Sequence, residues 1–215
     1  MQEKLKNCEK ESFLGLSTLE LAQRIVDSNS EIKAVGLKPY VYVPNKPSGR
    51  DEKIYYTSRE NLLNIRQEGL DDWCVYLGEG YNISLVSSLI FKDGSGGHFV
   101  MADLAPQRSG EGLEKAKRRF KEIVQPEFGG GFFLETKRSY QFLGENTVSQ
   151  NNWNNLLGTL LTTEIIAYFG AEIPAEHERI VDAKYVGYSL KRGHMGLRLT
   201  TNGTKTVVPR VVGFI

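Results

Sequence analysis

A chain of 215 residues with 40% hydrophobic and 25% charged side chains has the makeup of one extended globular domain or two closely packed halves, with a sizeable core. No apolar run approaches the roughly 20 residues a membrane span needs. The opening segment MQEKLKNCEKES lacks a secretory core, and Cys8 and Cys74 are too few and too scattered for a disulfide framework or a zinc site. The expectation is a soluble, cytoplasmic protein with no membrane association. The net charge of +1 is uninformative as an average, but no Asp or Glu follows Asp182, whereas Lys184, Lys191, Arg192, Arg198, Lys205 and Arg210 do. That tail should project a positive field toward an anionic partner, unless these cations only solubilise exposed strand faces.

Ser17-Thr18-Leu19-Glu20 has capping-box spacing, and Leu19, Ala22, Ile25 and Val26 recur at helical intervals, predicting a helix to about Asp27. YVYVP (40–44) and KIYYT (53–57) flank a polar loop and predict an antiparallel pair. Ser58 should cap a helix carrying Leu62, Leu63 and Ile65 and ending at Gly69. WCVYLG and ISLVSSLIF have the aromatic and β-branched content of strands, and KDGSGG is a turn leading into the apolar strand HFVMADL. Leu113, Ala116, Phe120 and Ile123 form one helical stripe amid basic residues. GGG introduces the hairpin FFLET-KR-SYQFLG, and Ser149 caps a helix whose buried side should hold Trp153, Leu156, Leu157, Leu160, Leu161, Ile165 and Tyr168. The remainder, ERIVDA, KYVGYSL, MGLRLTT and TVVPRVVGF, is predicted as strands separated by RGH and NGT turns. Altogether this is a mixed α/β chain.

Asp103 ends the run FVMAD, and Asp182 ends RIVD. A carboxylate at the end of a buried strand is costly unless water, hydrogen bonds or a cation receive it. Two such acids from distant parts of the chain could share one divalent ion, since magnesium takes one or two carboxylates and completes its shell with water and substrate phosphate. The alternative is that each Asp terminates its strand by bonding the next turn. In the hairpin, period-two alternation puts Ser139 and Gln141 on one face, with Lys137 and Arg138 beside them, as a phosphate or sugar contact would require. Arg198 lies in a mostly apolar strand, where a long cation is rarely buried without a partner. His98, His177 and His194 make no metal-binding pattern and are expected to be structural or on the surface. GSGG and GGG make neither a Rossmann nor a P-loop motif.

In order along the chain, VMADLAP, RSYQFLG, SQNNWNNLLGTLL and IVDAKYVGYSL resemble the archaeo-eukaryotic primase superfamily, with its DxD, SxH and later hydrophobic-Asp motifs. The resemblance covers His98 to Arg210. It implies an α+β, primase-polymerase-like fold: one domain over 1–215, in which an N-terminal α/β unit (about 1–92) packs on an RRM-like, mostly antiparallel sheet (93–215) with helices on one side. It implies nucleotidyl transfer in DNA replication, with Asp103 and Asp182 catalytic and holding Mg2+ or Mn2+. Ser139, Gln141, Arg138 and Arg198 would contact nucleotide, and Lys191, Arg192 and Arg210 would contact nucleic acid. The partners implied are DNA or RNA, nucleoside triphosphates and a helicase-like or accessory protein. Two positions depart from the pattern: Ala105 stands for the second acid of DxD, and Gln141 for the histidine of SxH. The chain would then keep one metal, recruit Glu135 as a ligand, or act as a catalytically silent nucleic-acid-binding module. A metal nuclease would use similar acids.

Overall fold

The computed structural model describes residues 9–41, 53–105, 109–165, 180–201 and 207–215. Its centre is an eight-stranded sheet in which every pairing is antiparallel. The strands are β1 (Ile32–Val41), β2 (Tyr55–Ser58), β3 (Tyr81–Phe91), β4 (Gly96–Asp103), β5 (Gly131–Glu135), β6 (Tyr140–Ser149), β7 (Gly196–Arg198) and β8 (Arg210–Phe214). Their order is β2-β1-β3-β4-β6-β5-β8, with β7 paired to β3 off this path. The expected pairing of the YVYVP and KIYYT regions holds, although β1 begins well before Tyr40 and residues 42–52 lie outside the described part.

The helices follow their caps. In α1 (Thr18–Ser28), Glu20 N–H donates to Ser17 Oγ while Ser17 N–H donates to the Glu20 carboxylate, completing the capping box. Ser58 Oγ caps α2 (Arg59–Asn64). That helix stops at Ile65, and Gly69 belongs instead to α3 (Gln67–Leu77). WCVYLG is therefore helical rather than a strand. Leu70 and Cys74 are buried one turn apart, and Trp73 and Leu77 pack against the core beside them, so the helical stripe outweighs local β propensity. Ala116 and Phe120 bury the apolar stripe of α4 (Gly110–Ile123), which a short α5 (Gln125–Phe128) follows. Ser149 Oγ receives Asn152 N–H at the start of α6 (Gln150–Ile165), whose Trp153, Leu156, Leu157 and Leu160 are core residues. Tyr168 and the NGT turn lie outside the described residues.

KYVGYSL is the second departure from the expected strands, because it forms α7 (Ala183–Arg192). Asp182 is its N-cap and receives Tyr185 N–H at 3.1 Å, while Val186 and Ser189 are buried at helical spacing. The helix ends on Gly193 in the left-handed conformation, which a residue without Cβ adopts at no steric cost.

One local irregularity positions the candidate site. The C-terminal part of β3, Ser88–Ile90, pairs with β4, whereas Ser84–Val86 pairs with β7 along the same edge. Past His98, β4 therefore separates from β3 while remaining paired to β6 as far as Asp103. The segment 180–198 fills this split. Val181 bridges Leu104, Ala105 N–H donates to Ile180 O, and Asp182 N–H donates to Asp103 O at 3.1 Å before the chain runs through α7 into β7.

Candidate functional site

Asp103 and Asp182 are thus joined through their main chains at the split, although almost eighty residues separate them in sequence. Both are half-buried. Gln141 lies directly across from Asp103 on β6, and directly opposed residues present their side chains to the same face with Cβ atoms about 5 Å apart. Its Oε1 is buried with no hydrogen-bond partner among the described residues.

Arg198 enters from β7. It is 7% exposed, and its Nε likewise has no partner among the described residues. Burial lowers its pKa, and Tyr40 and the Asp103 charge oppose that shift, so guanidinium and carboxylate are electrostatically coupled. Arginine stays charged even so. Tyr185 of α7 closes the group. Its hydroxyl donates to Gly196 O at 2.6 Å and accepts from Gly196 N–H at 2.8 Å, which clamps the helix to β7. Burial, and then the Asp103 charge, push the phenol above its ordinary range, so it is a neutral donor.

The remaining expected contacts are dispersed. Ser139 is a turn residue immediately before β6: its hydroxyl lies 3.3 Å from that of Thr136, whose Oγ1 and main chain close the Lys137-Arg138 loop. Arg138 is exposed on that loop. Lys191 and Arg192 occupy the exposed last turn of α7 rather than a strand, with the Arg192 guanidinium 5.7 Å above the Tyr185 ring. Arg210 lies on β8 at the far edge of the sheet, opposite Glu135, and donates to Gly15 O at 2.8 Å. Glu135 follows Leu134, the residue opposite Gln141, and alternation carries its side chain to the other face, away from Asp103.

Sequence reasoning missed two features behind the site. His98 Nδ1 lies 3.0 Å from Ser87 Oγ, and its Nε2 lies 2.7 Å from Gln150 Oε1. Ser87 Oγ already accepts Met195 N–H, so its hydroxyl donates to Nδ1 and the ring carries its proton on Nε2. Burial lowers the pKa of His98, and that of His194 is pushed down to about 4 by burial, Lys38 and Arg192. Both rings are therefore neutral at neutral pH, the structural role expected for them; His177 lies outside the described residues. The second feature is Lys38, buried on β1 at 8% exposure. Neither had a local sequence signal.

The metal expected from the resemblance can be tested against this donor set. Among the described residues, no three His, Cys, Asp or Glu side chains come together. One Asp182 oxygen is engaged at the α7 N-terminus, and Asp103 is coupled to a buried guanidinium. Two carboxylates are too few for a pair of catalytic ions, which requires several converging carboxylates to offset the dications; a metal held here would be the single ion expected from the resemblance.

A family model described as archaeo-eukaryotic primase 1D-like matches residues 61–209. This is well over half of the chain, which therefore belongs to the primase-like family. The match begins ahead of the stretch that carries the resemblance and takes in α3 and β3. Neither the curated proteins nor the solved structures give a match. No helix among the described residues is long and apolar enough to cross a membrane.

Proposed function

We propose that this primase-like domain binds the sugar-phosphate part of a nucleotide, free or within a DNA or RNA strand, beside Asp103 where the segment 180–198 closes the split between β3 and β4. The observation that carries the reading is a pair of buried atoms with no hydrogen-bond partner among the described residues: Oε1 of Gln141, the residue opposite Asp103, and Nε–H of Arg198, whose charge is coupled to Asp103. Leaving such groups unpaired costs about 1–3 kcal/mol each, and a nucleotide supplies both complements, a phosphate oxygen for Arg198 and a sugar hydroxyl for Gln141. The exposed Lys191 and Arg192 would guide a strand toward the site. Arg210, tied to Gly15, would instead fasten the N-terminal segment.

The test is fluorescence anisotropy with a labelled single-stranded oligonucleotide and with a labelled nucleoside triphosphate. Binding should weaken steeply between about 50 and 200 mM salt. Gln141→Leu should cost about 1–2 kcal/mol of affinity. No binding of either probe, or full affinity in both Gln141→Leu and Arg198→Met, would reject the reading.

A second reading, nucleotidyl transfer dependent on magnesium or manganese at Asp103 and Asp182, draws on the main-chain contact between those two residues. It requires nucleotide incorporation that disappears in Asp103→Ala; the binding reading requires none.

A further inference from the structure

Helix α7 turns a face of one chemical character outward. Val186 and Ser189 hold its inner side in the core, which leaves Lys184, Gly187, Tyr188 and Lys191 on the opposite side at i, i+3, i+4 and i+7, the spacing of a single helical face. All four are exposed, Tyr188 to 44%. The two lysines stand two turns apart, about 10 Å along the axis, and bracket the phenol. Arg192 lies one turn beyond Tyr188. Its Nε donates to Tyr188 O at 3.2 Å and its guanidinium lies over the Tyr185 ring, so a third cation is held at the edge of this face.

The fold itself does not account for this face. Cations in the last turn, such as Lys191 and Arg192, complement the negative end of a helix, but Lys184 sits in the first turn, at the positive end, where a cation is unfavourable. No acid lies on the helix, and the carboxylate next to it, Asp182, accepts Tyr185 N–H. Helix α4 shows the ordinary solvated alternative: there Lys117 pairs with Glu114, and Arg119 with Glu122, at i,i+3. Gly187 is equally unexplained by packing. It stands mid-helix, where glycine costs about 1 kcal/mol against alanine, and a Cβ there would meet nothing within 4 Å. The bare backbone beside an exposed ring leaves room for a planar group to lie against the helix.

Resting on the nucleotide reading above, we propose that a single-stranded nucleic acid runs along the outward face of α7, with one unpaired base stacked on Tyr188 over Gly187 and the phosphates on either side of it taken by Lys184 and Lys191. The helix carries this face directly to the nucleotide site, because it begins at Asp182, whose N–H is bonded to Asp103 O. Charge alone would suit any polyanion. The exposed ring selects the unpaired strand, since every base offers a face for stacking and a duplex hides it. The unpaired lysines make the affinity salt-dependent.

The experiment is fluorescence anisotropy of the full chain and its variants with three probes: a labelled single-stranded oligonucleotide, the same strand annealed to its complement, and labelled ATP. The single strand is expected to bind about tenfold more tightly than the duplex. Tyr188→Ala should weaken it by about tenfold, the loss of one base stack, whereas Tyr188→Trp should retain it. Lys184→Gln should reduce the slope of log affinity against log salt by about 0.7, the share of one phosphate contact. Neither Tyr188→Ala nor Lys184→Gln should change the affinity for ATP by more than about twofold. Thermal melts establish that each variant is folded. Full single-strand affinity in Tyr188→Ala, or a duplex bound as tightly as the single strand, would overturn the proposal and leave the nucleotide reading standing. So would polyglutamate displacing the strand as well as unlabelled oligonucleotide does, which would mark the face as one for an acidic protein. Loss of ATP binding in Tyr188→Ala would overturn it by placing the ring in the nucleotide site itself. If the unaltered chain binds neither ATP nor the strand, the nucleotide reading falls and takes this inference with it.

Discussion

Trp153→Ala is expected to lower the stability of the protein by about 3–5 kcal/mol, a large part of the 5–15 kcal/mol typical of a folded domain. The indole is 1% exposed and stacks on the His98 ring at 4.4 Å and 16°. His98 in turn links Ser87 on β3 to Gln150 at the start of α6, and Ser87 holds the chain entering β7 through Met195. Removing the indole leaves a cavity against the point where β3, β4, α6 and the approach to β7 are tied together. Trp153→Phe provides the internal control. It keeps an aromatic face for His98, and because Trp153 Nε1 has no partner among the described residues, no hydrogen bond is lost. Its cost should be about 1–2 kcal/mol. Urea denaturation measures both, and equal costs for Ala and Phe would show that stacking on His98 contributes nothing.

Arg198→Ala should be nearly as damaging, at about 3 kcal/mol, because it removes a long buried side chain together with the cation coupled to the Asp103 carboxylate. A double-mutant cycle separates this electrostatic part from lost packing. Arg198→Met keeps most of the volume, and combining it with Asp103→Asn should recover about 1–3 kcal/mol relative to the sum of the single changes. Strict additivity would mean that the two charges do not interact. Asp103→Asn alone should therefore give a less stable fold.

Part of the site was legible in the sequence because two local rules placed it. The strand FVMAD and the hairpin FFLET-KR-SYQFLG have clear boundaries, and the two-residue Lys137-Arg138 loop fixes the register of β6 against β5. Asp103 and Gln141 could thus be singled out as strand residues, and the later acid, Asp182, does meet Asp103 through the main chain. What failed was the structure after Asp182. Tyr185, Val186 and Tyr188 have strand-like composition, but Asp182 as a cap followed by Val186 and Ser189 at helical spacing was the stronger signal, and α7 obeys it. The same preference for composition over periodicity hid α3, where Leu70 lies upstream of the WCVYLG window and completes the stripe. Lys38 could not be found locally at all. Its association with Arg198 exists only because β3 pairs with β1 on one edge and with β7 on the other, a consequence of β4 turning away after His98.

The central claim is that a nucleotide is held beside Asp103 by Gln141, opposite it on β6, and by Arg198, whose charge is coupled to it. The most direct measurement is the backbone amide NMR spectrum of the isotopically labelled chain, recorded while ATP is added. The account predicts shift changes concentrated at Asp103, Gln141, Tyr185 and Arg198, with the β5–β8 edge around Arg210 unmoved. Changes confined to the Arg210 edge, or none at any of those four residues, would contradict it.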